Sequence, residues 1–77
     1  MKYKQHDTVV LTRTIEEKGL CPGDLGAVVA VYEPDGIEVE FVAASGRTTA
    51  LVTLTIADVR PIEDTDLVAV RSAKKSA

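Results

Sequence analysis

The chain has 77 residues, with 12 acidic and nine basic side chains and a formal net charge of −3. This length predicts a single domain with a small core, and the acidic balance argues against binding to phosphate backbones. A single cysteine excludes an internal disulfide, and residues 1–7 lack the apolar segment of a signal peptide. We therefore expect a cytoplasmic protein that neither enters a membrane nor binds nucleic acid.

The first third of the chain predicts two strands joined by a long polar loop. Residues 7–12 are rich in β-branched side chains and predict the first strand, and residues 13–19 form the loop. The turn that follows contains Pro22, which favours the second position of a tight turn, and Gly23, which favours a positive φ. Gly26 is predicted to form a bulge where the second strand, residues 25–33, begins.

A hairpin is predicted at residues 33–37. Gly36 is expected to hold a positive φ as the bulge residue of a three-residue loop. This register would place Val31 opposite Val39 and Val29 opposite Phe41. In the third strand, three apolar residues alternate with two acidic ones, which predicts one face in the core and one in water: Ile37, Val39 and Phe41 against Glu38 and Glu40.

The rest of the chain predicts one further hairpin, a helical turn and a last strand. Residues 43–46 predict a four-residue loop that places Ala50 opposite Val39 in a fourth strand, residues 47–55. Thr55 and Asp58 have the spacing of a capping box, which predicts a single helical turn. Residues 67–71 are apolar and β-branched and predict a last strand, followed by a disordered tail at residues 72–77. The predicted core contains Val29, Val39, Phe41, Val52 and Val59.

Several short motifs resemble one bacterial family. They are Asp7-Thr8-Val9-Val10-Leu11, Gly19, Gly23-Asp24-Leu25-Gly26, Val39-Glu40-Phe41 and Asp58-Val59-Arg60-Pro61. Together they resemble the family catalogued as domain of unknown function 4926, over residues 5–71. Because that family has no established biochemical function, the resemblance implies no catalytic residues.

A broader likeness is to SH3-like barrels, which have a long first loop and a helical turn before the last strand. The expected fold class is therefore all-β, a small SH3-like barrel of five to six strands with one domain at residues 1–71. Residues 23–28 also resemble a loop of nucleic-acid-binding modules of that shape, where basic residues accompany it. Here acidic residues surround it in the sequence, which argues against RNA binding.

Three sets of side chains have some features of chemical sites, but each has a simpler structural explanation. Cys21, with Lys18 as the nearby cation, is expected to be a turn residue. His6 is the only histidine, so a zinc site within the chain would need two carboxylates besides the one cysteine. Glu38 and Glu40 lie about 7 Å apart at the strand repeat, but an open strand face offers no cleft for acid–base catalysis. We expect no catalytic residues, no cofactor and no metal.

The outward side of the second to fourth strands is the best candidate for a binding surface. In the predicted registers Val28, Tyr32 and Leu51 point outward, with Glu38 and Glu40 at the rim. The alternative is that the last strand or the long loop covers these residues. We predict a protein-interaction module without catalysis, an accessory or immunity-type protein that binds a partner protein or itself. The other candidates are a nucleic-acid-binding barrel and a ligand- or metal-dependent regulator.

Overall fold

Five antiparallel strands build this protein in a computed structural model, which describes residues 1–73. They are β1 (Thr8–Leu11), β2 (Leu25–Tyr32), β3 (Gly36–Val42), β4 (Thr48–Thr55) and β5 (Val59–Pro61). Two 3₁₀ turns, at Glu16–Lys18 and Ile56–Asp58, precede β2 and β5. Within the described range, no helix is long and apolar enough to cross a membrane.

The strands form one sheet in the order β4-β3-β2-β1-β5. Each strand pairs antiparallel with its neighbours, and the short β5 extends the sheet beside β1. The predicted all-β class is confirmed. Among residues 1–73 no ladder joins the edge strands β4 and β5, so the sheet is open and the expected closure into a barrel is not observed.

The last strand predicted at residues 67–71 is wrong. Residues 66–73 contain no strand, and the side chains of Leu67 and Val70 are 94% and 98% exposed. Their composition suits a strand, but β-propensity depends on pairing and packing with neighbouring strands, and no strand of the described chain pairs with this segment. Of the predicted tail, residues 74–77 lie outside the described residues.

Residues of strand β3 form the centre of the core. Ile37 and Val39 are fully buried and Phe41 is nearly so, whereas Glu38 and Glu40 lie on the opposite face. The predicted alternation in this strand is confirmed. Burial of apolar side chains from all five strands and both ends of the long loop supplies the main favourable term in folding. The other members of this core are Tyr3, Val9, Leu11, Ile15, Leu20, Val28, Ala50, Leu54 and Val59.

A β-bulge decides which residues of β2 face the core. Val28 pairs with Val39, but the next paired residue, Ala30, lies opposite Glu38, so Val29 is the extra residue. A bulge shifts the side-chain alternation by one position. Val28 is therefore fully buried, and its predicted place on the outward side is wrong. Val29, predicted for the core, is only half-buried.

The first hairpin has a different register from the predicted one. Tyr32 pairs with Gly36, and Val31 lies opposite Ile37 instead of Val39. Gly36 is not among the residues with positive φ, so the predicted bulge residue is wrong. A Cβ atom there would lie 3.2 Å from the backbone oxygen of Tyr32, so glycine allows the two strands to approach closely at the turn.

The second hairpin is shifted by two residues from the prediction. Ala50 lies opposite Phe41, and Val52 lies opposite Val39. An even shift keeps Ala50 and Val52 on their predicted face, but a bulge at Thr49 turns Thr48 to the solvent side. Ala50 is accordingly buried and Val52 packs against the core, and the predicted burial of Val59 is confirmed.

The prediction for the turn before β2 is confirmed only in part. Gly23 holds the expected positive φ of 96°. Gly26, however, forms no bulge, since it pairs regularly with Val9. A Cβ atom at this position would overlap Cγ1 of Val39 and lie 3.0 Å from Phe41, so glycine is needed for the core side chains of β3 to pack against β2.

The capping box before β5 is confirmed. The Asp58 carboxylate accepts a hydrogen bond of 3.0 Å from the Thr55 N–H, and both halves of the box are present. Arg13 in the long loop donates to the same carboxylate at 2.8 Å. The long loop is therefore tied to the turn that starts the last strand.

Candidate interaction surface

Four side chains lie together on the solvent side of β2, β3 and β4: Tyr32, Glu38, Glu40 and Leu51. We call this group of residues the outer face. Leu51 lies opposite Glu40 in the β3–β4 ladder, and the Tyr32 hydroxyl donates to Glu38. Tyr32 is 48% exposed and Leu51 is 51% exposed. Four of the five residues predicted for the interaction surface are therefore brought together, and only Val28 lies in the core.

The two glutamates of the outer face are held by neighbouring hydroxyl groups. Tyr32 donates a hydrogen bond of 2.5 Å to Oε1 of Glu38, and Thr48 donates to Oε2 of Glu40. The hydrogen bond to Glu38, together with the negative charge of that carboxylate, raises the pKa of Tyr32. Within residues 1–73 neither glutamate forms an ion pair. The outer face thus combines two exposed apolar surfaces with two negative charges that no cation of the described chain neutralises.

A second exposed surface, which the sequence did not indicate, is built by residues 62–73, the C-terminal segment. Its far end is fixed by Arg71, which donates to Asp24 through Nε at 2.9 Å and Nη2 at 2.5 Å. Arg71 also donates to the carbonyl oxygen of Gly19 at 2.9 Å. The C-terminal segment is therefore attached to the turn before β2.

Asp24 serves both the turn and the C-terminal segment. Besides the Arg71 guanidinium, it accepts the N–H of Cys21 at 2.8 Å. Burial by itself would raise the pKa of Asp24, but the hydrogen bonds from Arg71 and Cys21 outweigh it and the pKa is lowered. The carboxylate is therefore held in its charged form.

The near end of the C-terminal segment is fixed by Arg60 of β5. Its Nη1 and Nη2 atoms each donate to the Asp66 carboxylate at 2.9 Å, and the N–H of Glu63 donates to the same carboxylate at 2.7 Å. The hydrogen bonds from Arg60 are the largest cause that lowers the pKa of Asp66 to about 2. Two arginine–carboxylate pairs thus hold the two ends of a segment whose apolar middle is exposed.

An open groove of about 480 Å³ lies between the C-terminal segment and the sheet. Its apolar lining includes Val10 and Leu25 of the sheet, Val42 at the end of β3, and Leu67 and Val70 of the C-terminal segment. Sequence patterns did not predict this groove, because Arg71 and Asp24 are far apart in the chain and no local spacing connects them.

Cys21 and His6 lie at separate places in the fold. Cys21 is half-buried in the turn closed by Asp24, as expected for a turn residue. His6 is exposed, has a φ of 79° and donates its backbone N–H to the carbonyl oxygen of Val28 at 2.8 Å. In the described part of the chain, no three His, Cys, Asp or Glu side chains are grouped so that they could hold a metal ion.

Comparison with models of protein families identifies the family of this chain. Residues 5–61 match the family described as Domain of unknown function (DUF4926), and the chain belongs to that family. The match contains all five strands and the outer face, and it ends at Pro61, before the C-terminal segment. Searches of curated proteins and of solved structures each found no match.

Proposed function

We propose that this protein is a non-catalytic interaction module that binds a partner protein through its outer face. The main support for the proposal is that two exposed side chains, Tyr32 and Leu51, lie beside two carboxylates. Tyr32 donates a hydrogen bond to Glu38, and Leu51 lies opposite Glu40. Tyrosine is a favourable anchor, because its ring contributes apolar contact area and its hydroxyl forms hydrogen bonds. The rim of charge around such an anchor contributes to specificity.

The charge of the outer face favours a partner with a basic surface. Within residues 1–73, Glu38 and Glu40 accept hydrogen bonds only from hydroxyl groups, and no cation lies beside either carboxylate. A lysine or arginine of the partner would meet complementary charge there. The net charge of −3 also favours a protein partner over a nucleic acid.

The fold proposed for this module is an SH3-like barrel. Support comes from five short strands, the long loop between β1 and β2, and the 3₁₀ turn directly before β5. The absence of catalysis is proposed because the outer face is an open strand surface, and acid–base chemistry requires enclosed groups with adjusted pKa values. We place the protein in the cytoplasm of a bacterium, in keeping with its single cysteine.

Affinity purification from the native host with quantitative mass spectrometry tests this function. The double variant Tyr32→Ser/Leu51→Ser and the charge-reversal variant Glu38→Lys/Glu40→Lys should each capture at least about ten-fold less partner than the wild type. Ile62→Ser is the matched control, because it removes an exposed apolar side chain outside the outer face.

Three results would contradict the proposal. The first is undiminished capture by both outer-face variants. The second is capture that disappears after nuclease treatment, which would indicate a nucleic-acid ligand. The third is a Tyr32→Ser/Leu51→Ser protein that loses several kcal/mol of stability, since these residues would then form a second core.

A further inference from the structure

The free edge of β4 lacks the features that usually protect an edge strand. β4 is eight residues long and contains no charged residue, proline or glycine. Among residues 1–73 it pairs only with β3, so its other side has no partner strand. The opposite edge strand, β5, is three residues long and contains Arg60 and Pro61. Because short length, charge and proline discourage pairing with another chain, the sheet is protected at β5 and open to an added strand at β4.

Two residues in the middle of β4 direct backbone groups toward the free edge. Thr55 lies opposite Gly36, but its N–H donates to the carboxylate of the capping box and is not used in the ladder with β3. In an antiparallel ladder the N–H and C=O groups of a strand point to its two sides in alternation. The pairing is regular over residues 50–55. Thr53 and Leu51 therefore also present their N–H and C=O groups to the unpaired side.

A negative charge lies beside this edge. The Glu40 carboxylate is directed toward β4, where it accepts a hydrogen bond from the Thr48 hydroxyl. Within residues 1–73 no cation pairs with it. Leu51, which lies opposite Glu40 on the same side of the sheet, is 51% exposed. The edge thus combines free backbone groups with an exposed apolar side chain and a carboxylate that lacks a cation.

We propose that β4 pairs with an extended segment of a partner protein that carries lysine or arginine opposite Leu51. This inference rests on the proposed function and names the part of the partner that binds. In the added strand, the residue opposite Leu51 lies about 10 Å from Glu40, which is twice the spacing of neighbouring strands. A lysine or arginine there packs its aliphatic part on Leu51 and places its charged group at the Glu40 carboxylate.

The charge of the outer face argues against a second copy of this chain at the same edge. Two copies joined at β4 would set two outer faces side by side, each with Glu38 and Glu40. Each chain also has a net charge of −3. Like charges brought together are unfavourable, whereas a basic segment meets complementary charge. The edge therefore favours a strand from a different, basic protein.

Titration with synthetic peptides tests the charge preference. The probe is the capped peptide Thr-Val-Thr-Lys-Thr-Val-Thr, whose side-chain order is the same in both directions, and its control has glutamate in place of lysine. The lysine peptide should bind the wild type at least about ten-fold more tightly than the glutamate peptide. Glu40→Gln should reduce this preference to about three-fold or less. Glu17→Gln is the matched control, because it removes an exposed carboxylate in the long loop, and it should keep the preference.

Amide hydrogen exchange tests the pairing with the edge. In the complex with the lysine peptide, the N–H groups of Leu51 and Thr53 should exchange at least about ten-fold more slowly than in the free protein. The N–H group of Val52, which faces β3, should change less. Thr53→Pro removes a free donor and spares the ladder with β3, so it should weaken peptide binding by about ten-fold or more. Thr53→Ala is the control and should bind like the wild type. If Thr53→Pro does not fold, exchange in the wild type decides alone.

Four results would overturn the proposal. They are equal binding of the two peptides, no binding of the lysine peptide at millimolar concentration, binding that leaves exchange at Leu51 and Thr53 unchanged, and protection of these N–H groups in the protein alone as its concentration rises. The last result would assign the edge to a second copy. Failure of the peptide to bind would leave capture of a partner by the outer face intact. Failure of capture while the peptide binds would instead contradict only the proposed function.

Discussion

Arg71 donates two hydrogen bonds to the carboxylate of Asp24, 47 residues earlier in the chain. This contact joins the C-terminal segment, which lies outside the family match, to the turn before β2, which lies inside it. The second attachment, from Arg60 to Asp66, is of the same chemical kind. Both attachments depend on ionised carboxylates, so the position of the C-terminal segment depends on pH.

Acid is expected to release the C-terminal segment. The pKa of Asp66 is lowered to about 2 in the folded protein, below its ordinary value of about 3.9 in an unfolded chain. A lowered pKa contributes stability that is present above the unfolded value and is lost as the pH falls toward the folded one. The methyl NMR signals of Val68 and Val70 should therefore shift between about pH 4 and pH 2.

Two variants separate Asp66 from its neighbours. Asp66→Asn should already show the displaced signals at neutral pH and lose the part of the acid transition that Asp66 causes. Glu63→Gln should behave like the wild type, because Glu63 is exposed and lies 3.9 Å from Arg60. An acid transition identical in the wild type and Asp66→Asn would show that this ion pair does not hold the segment.

The bulge in β2 predicts unequal losses of stability at two residues of that strand that were both predicted to point outward. Val28→Ser should destabilise the protein by about 2–4 kcal/mol, because it opens a cavity in the core and buries a hydroxyl group. Tyr32→Ser should change the free energy of unfolding by only about 0.5 kcal/mol, because Tyr32 is half exposed. Urea denaturation measures the free energy of unfolding of both variants. Similar losses of stability at the two positions would contradict the β-bulge at Val29, which shifts the side-chain alternation of β2.

Gly26 and Gly36 are expected to differ in their tolerance of a methyl group. Gly26→Ala places Cβ against Val39 and Phe41, and should cost about 1–3 kcal/mol or more. At Gly36 the nearest atom would be 3.2 Å away and φ is not positive, so Gly36→Ala should cost less than Gly26→Ala. Thermal melting compares the two variants, and the reverse order would contradict the packing described between β2 and β3.

Tyr3→Phe should stabilise the protein. The Tyr3 side chain is buried, and its hydroxyl has no hydrogen-bond partner among residues 1–73. Removing an unsatisfied buried hydroxyl while keeping the ring avoids a desolvation penalty of about 1–3 kcal/mol. Chemical denaturation should show higher stability for Tyr3→Phe. A loss of more than about 1 kcal/mol would indicate that the hydroxyl has a partner, such as a water molecule.

Strands β1 to β4 could be predicted from the sequence, because their signals are local, whereas the short β5 was not predicted. Alternation in Ile37, Val39 and Phe41 identified the buried face of β3, and the capping box located the turn before β5. The hairpin registers were less predictable. A shift by two residues keeps each face unchanged, so the pattern at Ala50 and Val52 fits both registers.

The errors occurred where the determining contact is not local. In β2 the run of alanines and valines fits either phase, and only pairing with β3 shows that Val29 is the extra residue. The C-terminal segment was predicted as a strand because its composition is that of a strand. Its place is instead fixed by Asp24 and Arg60, through ion pairs that no sequence spacing reveals.

Tyrosine footprinting in the presence of the captured partner tests the central claim, that the outer face binds protein. Tyr32 is 48% exposed and Tyr3 is 5% exposed, so Tyr3 serves as an internal control within the same chain. Hydroxyl-radical oxidation of Tyr32 should fall at least about ten-fold when the partner is bound, while the low reactivity of Tyr3 stays the same. Unchanged oxidation of Tyr32 in a complex that remains bound would contradict the claim.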